Sequence, residues 1–485
     1  MASFSDTYSM IFKKGSIILF LGICIIMSGT GVVFLGPEKG FLILFVVLGV
    51  CVAVGSIVNY IFGFYAAMTL SFFIFFISRF FNDEYPLGSA IDILIMSSFA
   101  GLLLQKVIKK ETFLFNSKHI ITYAYLLYTL FLILEIFNPA MDSLEGWFFV
   151  IRKYLLFLMT YFMALNLFST FKRVKFFFKY WLLLSFIAGV YGCYQEWFGF
   201  LPFEENWINS NPARAGLYLL VTGLSRKFST FSDPAAYGII MAATFVIGLI
   251  LLLYTKKIKQ KIFLTIACVF ILLGVAYSGT RTAYFIIAAG MVVYIVMTIT
   301  KRNTMIFACL FVLAFATIMF APIYGNNTIN RIRSTFEFSD EASLKVRDEN
   351  RNFIQPYIYQ HPMGGGLATS GVQGLTYNPN HFLAGFPPDS GFVKTAIETG
   401  WIGFFLQCML YFIILQAGAH SFYNTYKKGL RVFCLCAVVC SFAFILGQFG
   451  QVAIGQIPGS FLFYSCLALI VKSKYLYQQI KNNSI

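Results

Sequence analysis

PAAYGIIMAATFVIGLILLLY, at residues 234–254, is the stretch that decides the fold class of this chain. It contains no charged residue, and its proline stands at the first position, where a helix tolerates proline. As an α-helix, about twenty apolar residues cross the roughly 30 Å of hydrocarbon in a bilayer. The stretch therefore predicts a transmembrane helix.

Similar apolar runs recur along the whole chain. Of its 485 residues, 59% are hydrophobic and 12% are charged, against about 25% charged in an average soluble protein. The sequence lacks the ten-residue alternation of a β-barrel, and helices satisfy their own backbone hydrogen bonds in lipid. We predict an all-α polytopic membrane protein with about 14 transmembrane helices, at 16–36, 40–57, 60–79, 89–105, 119–138, 147–168, 180–199, 234–254, 261–278, 282–300, 304–321, 393–418, 431–448 and 453–471.

The charged residues are divided unevenly between the two sides of this predicted bundle. With the N-terminus inside, the cytoplasmic segments hold 22 of the 36 lysines and arginines but only two of the twenty acidic residues. The positive-inside rule then predicts that both termini are cytoplasmic. The net charge of +16 is thus a signature of topology, and we predict no nucleic-acid partner. The first apolar run has no clear cleavage site, so we interpret it as a retained span rather than a signal peptide.

The ten cysteines indicate neither a disulfide framework nor a zinc site. Most of them lie inside apolar runs, and none has the C-x-x-C spacing of a zinc site. We interpret them as small core residues.

Two segments on the outer side, 200–233 and 322–390, are too long to be simple connections. Ser339-Asp340-Glu341 predicts the start of a short helix, whose far end Pro356 disturbs. Gly364-Gly365-Gly366 then predicts a turn. We divide the chain into N-terminal helices at 1–140, a membrane core at 141–471 that includes both long segments, and a cytoplasmic tail at 472–485.

A group of charged residues within the predicted spans lies near the outer ends of those spans. They are Asp92, Glu135, Arg152, Lys153, Glu196, Arg281, Lys394 and Glu398. Charges inside spans are costly and mark functional sites, although snorkelling side chains that anchor span ends are the structural alternative. A transporter would place such groups near the bilayer midplane, whereas an enzyme acting on a lipid-linked substrate at the outer leaflet would place them here.

Three arginine-containing stretches converge on the same predicted side. Arg226 precedes Asp233, which can cap a helix that begins at the following proline. Arg281 closes the tight turn Ser278-Gly279-Thr280-Arg281, and Arg347 lies in the long outer segment. A guanidinium stays charged and can bind two oxygens of a diphosphate at once. The pattern favours a site for a diphosphate leaving group.

Four stretches resemble the landmarks of the O-antigen ligase and polymerase superfamily, over roughly residues 215–410. They are FSTFSDPAAYG (228–238), SGTR (278–281), Arg347 with the segment Pro362–Gly366, and DSGFVKTAIETGWIG (389–403). The resemblance implies a GT-C-like glycosyltransferase of the bacterial inner membrane that uses an undecaprenyl-diphosphate-linked glycan, with no metal ion, cofactor or nucleotide sugar. It also implies that Arg226 and Arg281 contact the diphosphate and that Arg347 is a further family arginine.

The position of the general base departs from the ligase pattern. Where ligases carry a His-Asn pair, this chain has Asp389-Ser390, while Glu398 and Gly400 keep the end of the helix. His381 lies eight residues upstream. The base is therefore Asp389 or a displaced His381, and we favour Asp389. We expect Glu398 to pair with Lys394 on the same helix face rather than to share the site.

The sequence thus predicts inverting glycosyl transfer at the outer face of the membrane, with a glycan or glycolipid as the acceptor. We favour a polysaccharide or O-antigen polymerase because the His-Asn pair is changed. The alternative is an O-antigen ligase, and the alternative from another class is a transporter of polysaccharide or lipid-linked sugar. Arg152, Asp233 and Glu398 are expected to support the site.

Overall fold

The computed structural model describes residues 36–112, 118–218, 225–322, 327–336 and 342–482. These residues form eighteen α-helices and one 3-10 turn at Glu135–Phe137. The helices are α1 Pro37–Val58, α2 Tyr60–Phe80, α3 Ser89–Ile108, α4 Ile120–Leu134, α5 Leu144–Leu167, α6 Phe171–Trp197, α7 Pro202–Asn209, α8 Pro212–Tyr218, α9 Pro234–Tyr254, α10 Ile258–Ser278, α11 Arg281–Thr298, α12 Arg302–Phe320, α13 Asn327–Phe336, α14 Ala342–Gln360, α15 Gly371–Tyr377, α16 Gly391–Asn424, α17 Lys428–Gly450 and α18 Gly459–Asn482.

The all-α membrane architecture predicted from the sequence is confirmed. Eleven helices of the described residues are long and apolar enough to cross a membrane, namely α2 to α6, α9 to α12, α16 and α17. Helices α1 and α18 pack in the same bundle, against α3 and α5 respectively. The predicted span at 16–36 lies outside the described residues, so the total of 14 stays a prediction.

The centre of the bundle is formed by α9 and α17. Each is enclosed by other helices: α9 packs against α10, α11 and α17, and α17 also packs against α16 and α18. Trp181 is fully buried and donates a hydrogen bond to the Thr244 hydroxyl of α9 at 3.0 Å. By contrast, most of α12 faces outward. The two central helices are therefore the closely packed frame against which the other segments are positioned.

Successive helices alternate in direction, so the connections between them lie at two ends of the bundle. These two ends differ in composition. We name one end the site end, which carries Asp233, Arg281 and Ser390. The opposite end, the basic end, carries Lys106, Arg173 and Lys472 around one cavity. These two names are used below without reference to membrane orientation.

The two long segments contain helices that the sequence did not predict. Segment 200–233 includes α7 and α8, and segment 322–390 includes α13 and α15. The predicted disturbance at Pro356 is wrong, because α14 continues through this proline to Gln360. Proline removes one backbone donor, and the carbonyl it leaves unpaired belongs to Asn352, which is exposed to solvent.

Candidate functional site

The turn between α10 and α11 is the centre of the candidate site. Helix α10 ends at Ser278, Gly279 adopts a left-handed φ of 58°, and Arg281 is the first residue of α11. Gly238 of α9 packs against this turn, since a Cβ there would lie 2.5 Å from Ser278 Oγ and 2.8 Å from Thr280 Cβ. Gly238 and Gly279 therefore allow α9, the end of α10 and the start of α11 to pack closely together next to Arg281.

Arg226 is bound to the same turn. Its Nε donates to the Ser278 carbonyl and its Nη2 donates to Thr280 Oγ1, each at 3.1 Å. Thr280 Oγ1 in turn donates to the Pro234 carbonyl at 2.9 Å. The structure thus brings Arg226 to the turn that carries Arg281, although the two are far apart in sequence.

Asp233 has the capping role that the sequence predicted. Its Oδ1 accepts hydrogen bonds from the backbone amides of Ala235 at 2.9 Å and Ala236 at 2.8 Å. Ser232 donates to the other carboxylate oxygen at 2.7 Å. Asp233 therefore fixes the start of α9 next to the turn.

A buried polar network holds the loop at 225–233, and the sequence analysis missed it. Arg79 is 2% exposed, and its guanidinium donates to the carbonyls of Ser229, at 2.9 Å, and Phe231. Glu204 lies 3.9 Å from Arg79 and accepts a hydrogen bond from Gln195 at 2.9 Å. Gln195 also accepts from the Ser229 amide at 2.8 Å. This network makes Arg79 a positioning residue for the Arg226 loop.

The segment that contains Gly364-Gly365-Gly366 docks into a break in α16. Gly400 has φ 64° and ψ −174°, so the helix is interrupted there. The Gly365 amide donates to the Ile397 carbonyl at 2.9 Å, and the Gly366 amide donates to the Glu398 carbonyl at 2.8 Å. The predicted turn is thus fastened to α16 by backbone hydrogen bonds.

The Glu398 side chain helps to hold the long segment against α16. It is 3% exposed and accepts a hydrogen bond from Ser370 Oγ at 2.5 Å. Lys394 Nζ lies 3.9 Å from Glu398, as the four-residue spacing predicts. Lys394 also donates to Gln373 Oε1 at 3.0 Å, so both residues tie α16 to the long segment.

Asp389 lies just outside α16 and does not cap this helix. Ser390 is the N-cap, with its hydroxyl accepting from the Val393 amide at 3.0 Å. Among the described residues, the buried Oδ2 of Asp389 has no hydrogen-bond partner. A buried carboxylate oxygen without a partner is costly in a folded protein, which makes it a candidate for substrate contact.

His381 is packed into the long segment instead. Its Nδ1 accepts a hydrogen bond from the Leu383 amide at 3.1 Å. Gly365 lies beneath the ring, since a Cβ there would be 2.6 Å from the ring carbon Cε1. Burial lowers the pKa of His381 below its usual range. The residue is therefore neutral near pH 7, with its proton on Nε2.

The end of α17 at residues 448–450 joins the parts of the candidate site. Gly391 of α16 packs on Gln448, because a Cβ there would lie 2.2 Å from Gln448 Oε1. Gly450 packs in the same way on Thr282, the residue after Arg281, with 2.6 Å to Thr282 Oγ1. The start of α16, which follows Asp389, and the start of α11 therefore flank one helix end.

A third arginine reaches the same helix end from the long segment. The Arg351 guanidinium lies 5.3 Å from the centroid of the Phe449 ring. Arg347 lies in α14, one turn earlier, and its side chain is outside the described part of the structure. Arg351 is thus the arginine of α14 that the structure locates at the candidate site.

Arg152 lies on α5, in a cluster with Asp92 and Phe149 that contacts the long segment through the Tyr377 ring. Its Nε lies 3.5 Å from Asp92 Oδ2, and its guanidinium lies 5.6 Å from the Phe149 ring. In the part of the chain that the structure describes, no group of three His, Cys, Asp or Glu side chains is placed to hold a metal ion.

Comparison with known proteins supports the resemblance seen in the sequence. Residues 266–408 match the family model described as O-antigen ligase. The match includes the turn at 278–281, the glycines at 364–366 and the start of α16, and it excludes the Arg226 loop. No curated protein matches the chain.

Proposed function

We propose that this chain is a membrane glycosyltransferase that transfers a glycan from a polyprenyl diphosphate, of the undecaprenyl type, to a sugar hydroxyl. The attachment of Arg226 to the turn that carries Arg281 is the observation that carries this proposal. It brings the Arg226 guanidinium to the N-terminus of α11, whose first residue is Arg281 and where the helix adds positive partial charge. A diphosphate matches this concentration of positive charge and of N–H donors.

The two arginines act on the leaving group. As the bond between the anomeric carbon and the diphosphate oxygen breaks, negative charge grows on that oxygen. Fixed guanidinium groups stabilise this charge without reorganisation, which lowers the barrier. Arg351 contributes from the side of α14, because it lies against the end of α17 that contacts Thr282.

Asp389 is the general base in this proposal. The acceptor hydroxyl oxygen attacks the anomeric carbon from the face opposite the diphosphate, and its proton passes to Oδ2 of Asp389. This route inverts the anomeric configuration and needs no other group to balance the proton. The buried and unpartnered Oδ2 supports this role, within the described residues.

The geometry of His381 argues against the same role for that residue. A neutral imidazole has one lone pair, and that of His381 lies on Nδ1, where it accepts the Leu383 amide. Nε2 already carries a proton. His381 could therefore accept a second proton only on Nδ1, after the hydrogen bond from the Leu383 amide is broken. His381 therefore serves as a packing residue of the long segment.

We favour a polymerase, because Asp389-Ser390 stands where ligases of this superfamily have a His-Asn pair. The second candidate is a ligase, which the description of the matching family favours. Cells lacking the protein distinguish the two when their surface polysaccharide is separated on a gel. Single repeat units on the glycolipid would indicate a polymerase, whereas full polymer held on its lipid carrier would indicate a ligase. Unchanged surface polysaccharide would contradict both.

A further inference from the structure

A cavity at the basic end is unrelated to the reaction proposed above. Its volume is about 610 Å³, and it lies between α3, α5, α6 and α18. Four cationic side chains and one acidic side chain line it, namely Lys106, Lys109, Arg173, Lys472 and Glu111. The cavity therefore has an excess of positive charge and suits an anionic ligand.

Lys472 distinguishes this cavity from an ordinary lysine-rich membrane border. It is 7% exposed, and among the described residues no ion pair joins its ammonium to an acidic side chain. The Lys472 ammonium lies over the Tyr475 ring, 5.2 Å from its centroid. By contrast, Lys256 and Lys259 at the same end are exposed to solvent, as the positive-inside rule alone would produce. A lysine that is mostly buried and has no acidic partner among the described residues is poorly compensated, so a ligand that supplies negative charge in the cavity would stabilise it.

Arg173 lines both this cavity and a neighbouring groove. Its Nη1 donates to Ser169 Oγ at 2.8 Å, and its side chain also lines an adjoining groove of about 640 Å³. That groove lies between the start of α2 and the start of α6. Its lining is mostly apolar and includes Ile61, Phe62, Leu167 and Phe176.

The positively charged cavity and the adjoining apolar groove match the two parts of a phospholipid, its charged headgroup and its acyl chain. We propose that the cavity binds the anionic headgroup of a phospholipid, with one acyl chain in the groove beside Arg173. Free phosphate would satisfy the cations but would gain nothing from the groove. A zwitterionic headgroup would bring its own cation close to Lys106 and Lys472, so an anionic headgroup is favoured.

The test uses the purified full chain in nanodiscs of phosphatidylcholine, with or without phosphatidylglycerol. We expect phosphatidylglycerol to raise the thermal midpoint, and native mass spectrometry to detect retained phosphatidylglycerol. The double variant Lys472→Gln/Arg173→Gln should lose this retention. At roughly fivefold per removed charge, the loss for two charges is about 25-fold.

The matched control is Lys256→Gln/Lys259→Gln, which removes two exposed lysines at the same end. An equal loss in this control would mean that net charge alone attracts the lipid, and the proposal would be wrong. Stabilisation by glycerol 3-phosphate equal to that by phosphatidylglycerol would assign the site to free phosphate and overturn the lipid assignment.

The double variant must also be folded for the comparison to count. In phosphatidylcholine alone, its thermal midpoint should equal that of the wild type or exceed it, because an unpaired buried charge has been removed. A midpoint that falls equally in both lipids would mean that Lys472 and Arg173 have only a structural role, which contradicts the proposal. Lys472→Arg, which keeps the charge, should retain phosphatidylglycerol.

Discussion

Arg281 is the first residue of α11, where a guanidinium and a helix N-terminus can act on one anion. We expect Arg281→Lys to reduce glycosyl transfer about a hundredfold, because lysine keeps the charge but loses the planar fork onto two oxygens. Turnover of a synthetic lipid-linked donor by purified protein measures this effect. Arg302→Lys is the matched control, since Arg302 is the first residue of α12 at the opposite end of the bundle and is exposed. Equal turnover in Arg281→Lys and wild type would rule out diphosphate binding by this side chain.

Asp389 and His381 differ in whether the atom that would take the proton already accepts a hydrogen bond: within the described residues Oδ2 of Asp389 accepts none, whereas Nδ1 of His381 accepts one from the Leu383 amide. Asp389→Asn should lower turnover by two to four orders of magnitude, roughly the contribution of a general base. His381→Gln should keep most of the turnover and lower the thermal midpoint, because it disturbs packing on Gly365. The comparison uses turnover and thermal midpoint measured on the same preparations. A dead His381→Gln beside an active Asp389→Asn would reverse the assignment.

Part of the candidate site could be predicted from the residues themselves. Asp233 caps α9 because aspartate followed by proline is a local signal, and the pairing of Lys394 with Glu398 follows from helix spacing. The role of Arg79 could not be predicted, since an arginine near the end of an apolar run usually snorkels to the surface. Its partners Ser229 and Glu204 come from distant segments, so only the folded chain shows that Arg79 is buried.

At the scale of elements, continuous apolar runs predict the bounds of a membrane helix accurately when capping residues or prolines border the run. The predicted span 234–254 coincides with α9, because Asp233 and Pro234 mark its start. The span predicted at 453–471 corresponds to α18, which runs from Gly459 to Asn482. Gly455, with φ 104°, belongs to the non-helical connection before α18. Helix α18 ends after the predicted residue 471 because packing stabilises its last turns, where Leu476 is fully buried although the residues around it in sequence are polar.

Gly400 is the element-scale feature on which the docking of the long segment depends. A Cβ at this position would lie 2.0 Å from the Pro362 carbonyl oxygen, and its φ of 64° disfavours any other residue. We expect Gly400→Ala to destabilise the protein by about 3 kcal/mol, from backbone strain and the clash together, and to abolish activity. Thermal unfolding and turnover measure the two effects.

Gly49→Ala in α1 provides the control for this substitution, because a Cβ there has no atom within 4 Å. Its thermal midpoint should equal or exceed that of the wild type, since alanine favours a helix. An active and stable Gly400→Ala would mean that α16 does not need its break.

At the scale of the whole molecule, the two ends of the bundle differ in charge and in structure. The basic end carries lysines and arginines on short connections, whereas the site end carries the long segments with α7, α8 and α13 to α15. The positive-inside rule predicts that the basic end is cytoplasmic, which would place the arginines and Asp389 outside. That placement is required if the donor is a lipid-linked glycan that has already crossed the membrane.

Cysteine labelling with a membrane-impermeant reagent tests this orientation. Val372 of α15 at the site end is 78% exposed, and Gln260 near the start of α10 at the basic end is also exposed. Val372→Cys should react in intact cells, whereas Gln260→Cys should react only after the membrane is opened. The wild-type protein supplies the background, since Cys309 is exposed on α12 but lies within an apolar span. The opposite labelling pattern would put the arginine turn and Asp389 in the cytoplasm. In that case transfer from an outward-facing donor would be impossible, because about 30 Å of hydrocarbon would separate the arginine turn and Asp389 from the diphosphate and the acceptor hydroxyl.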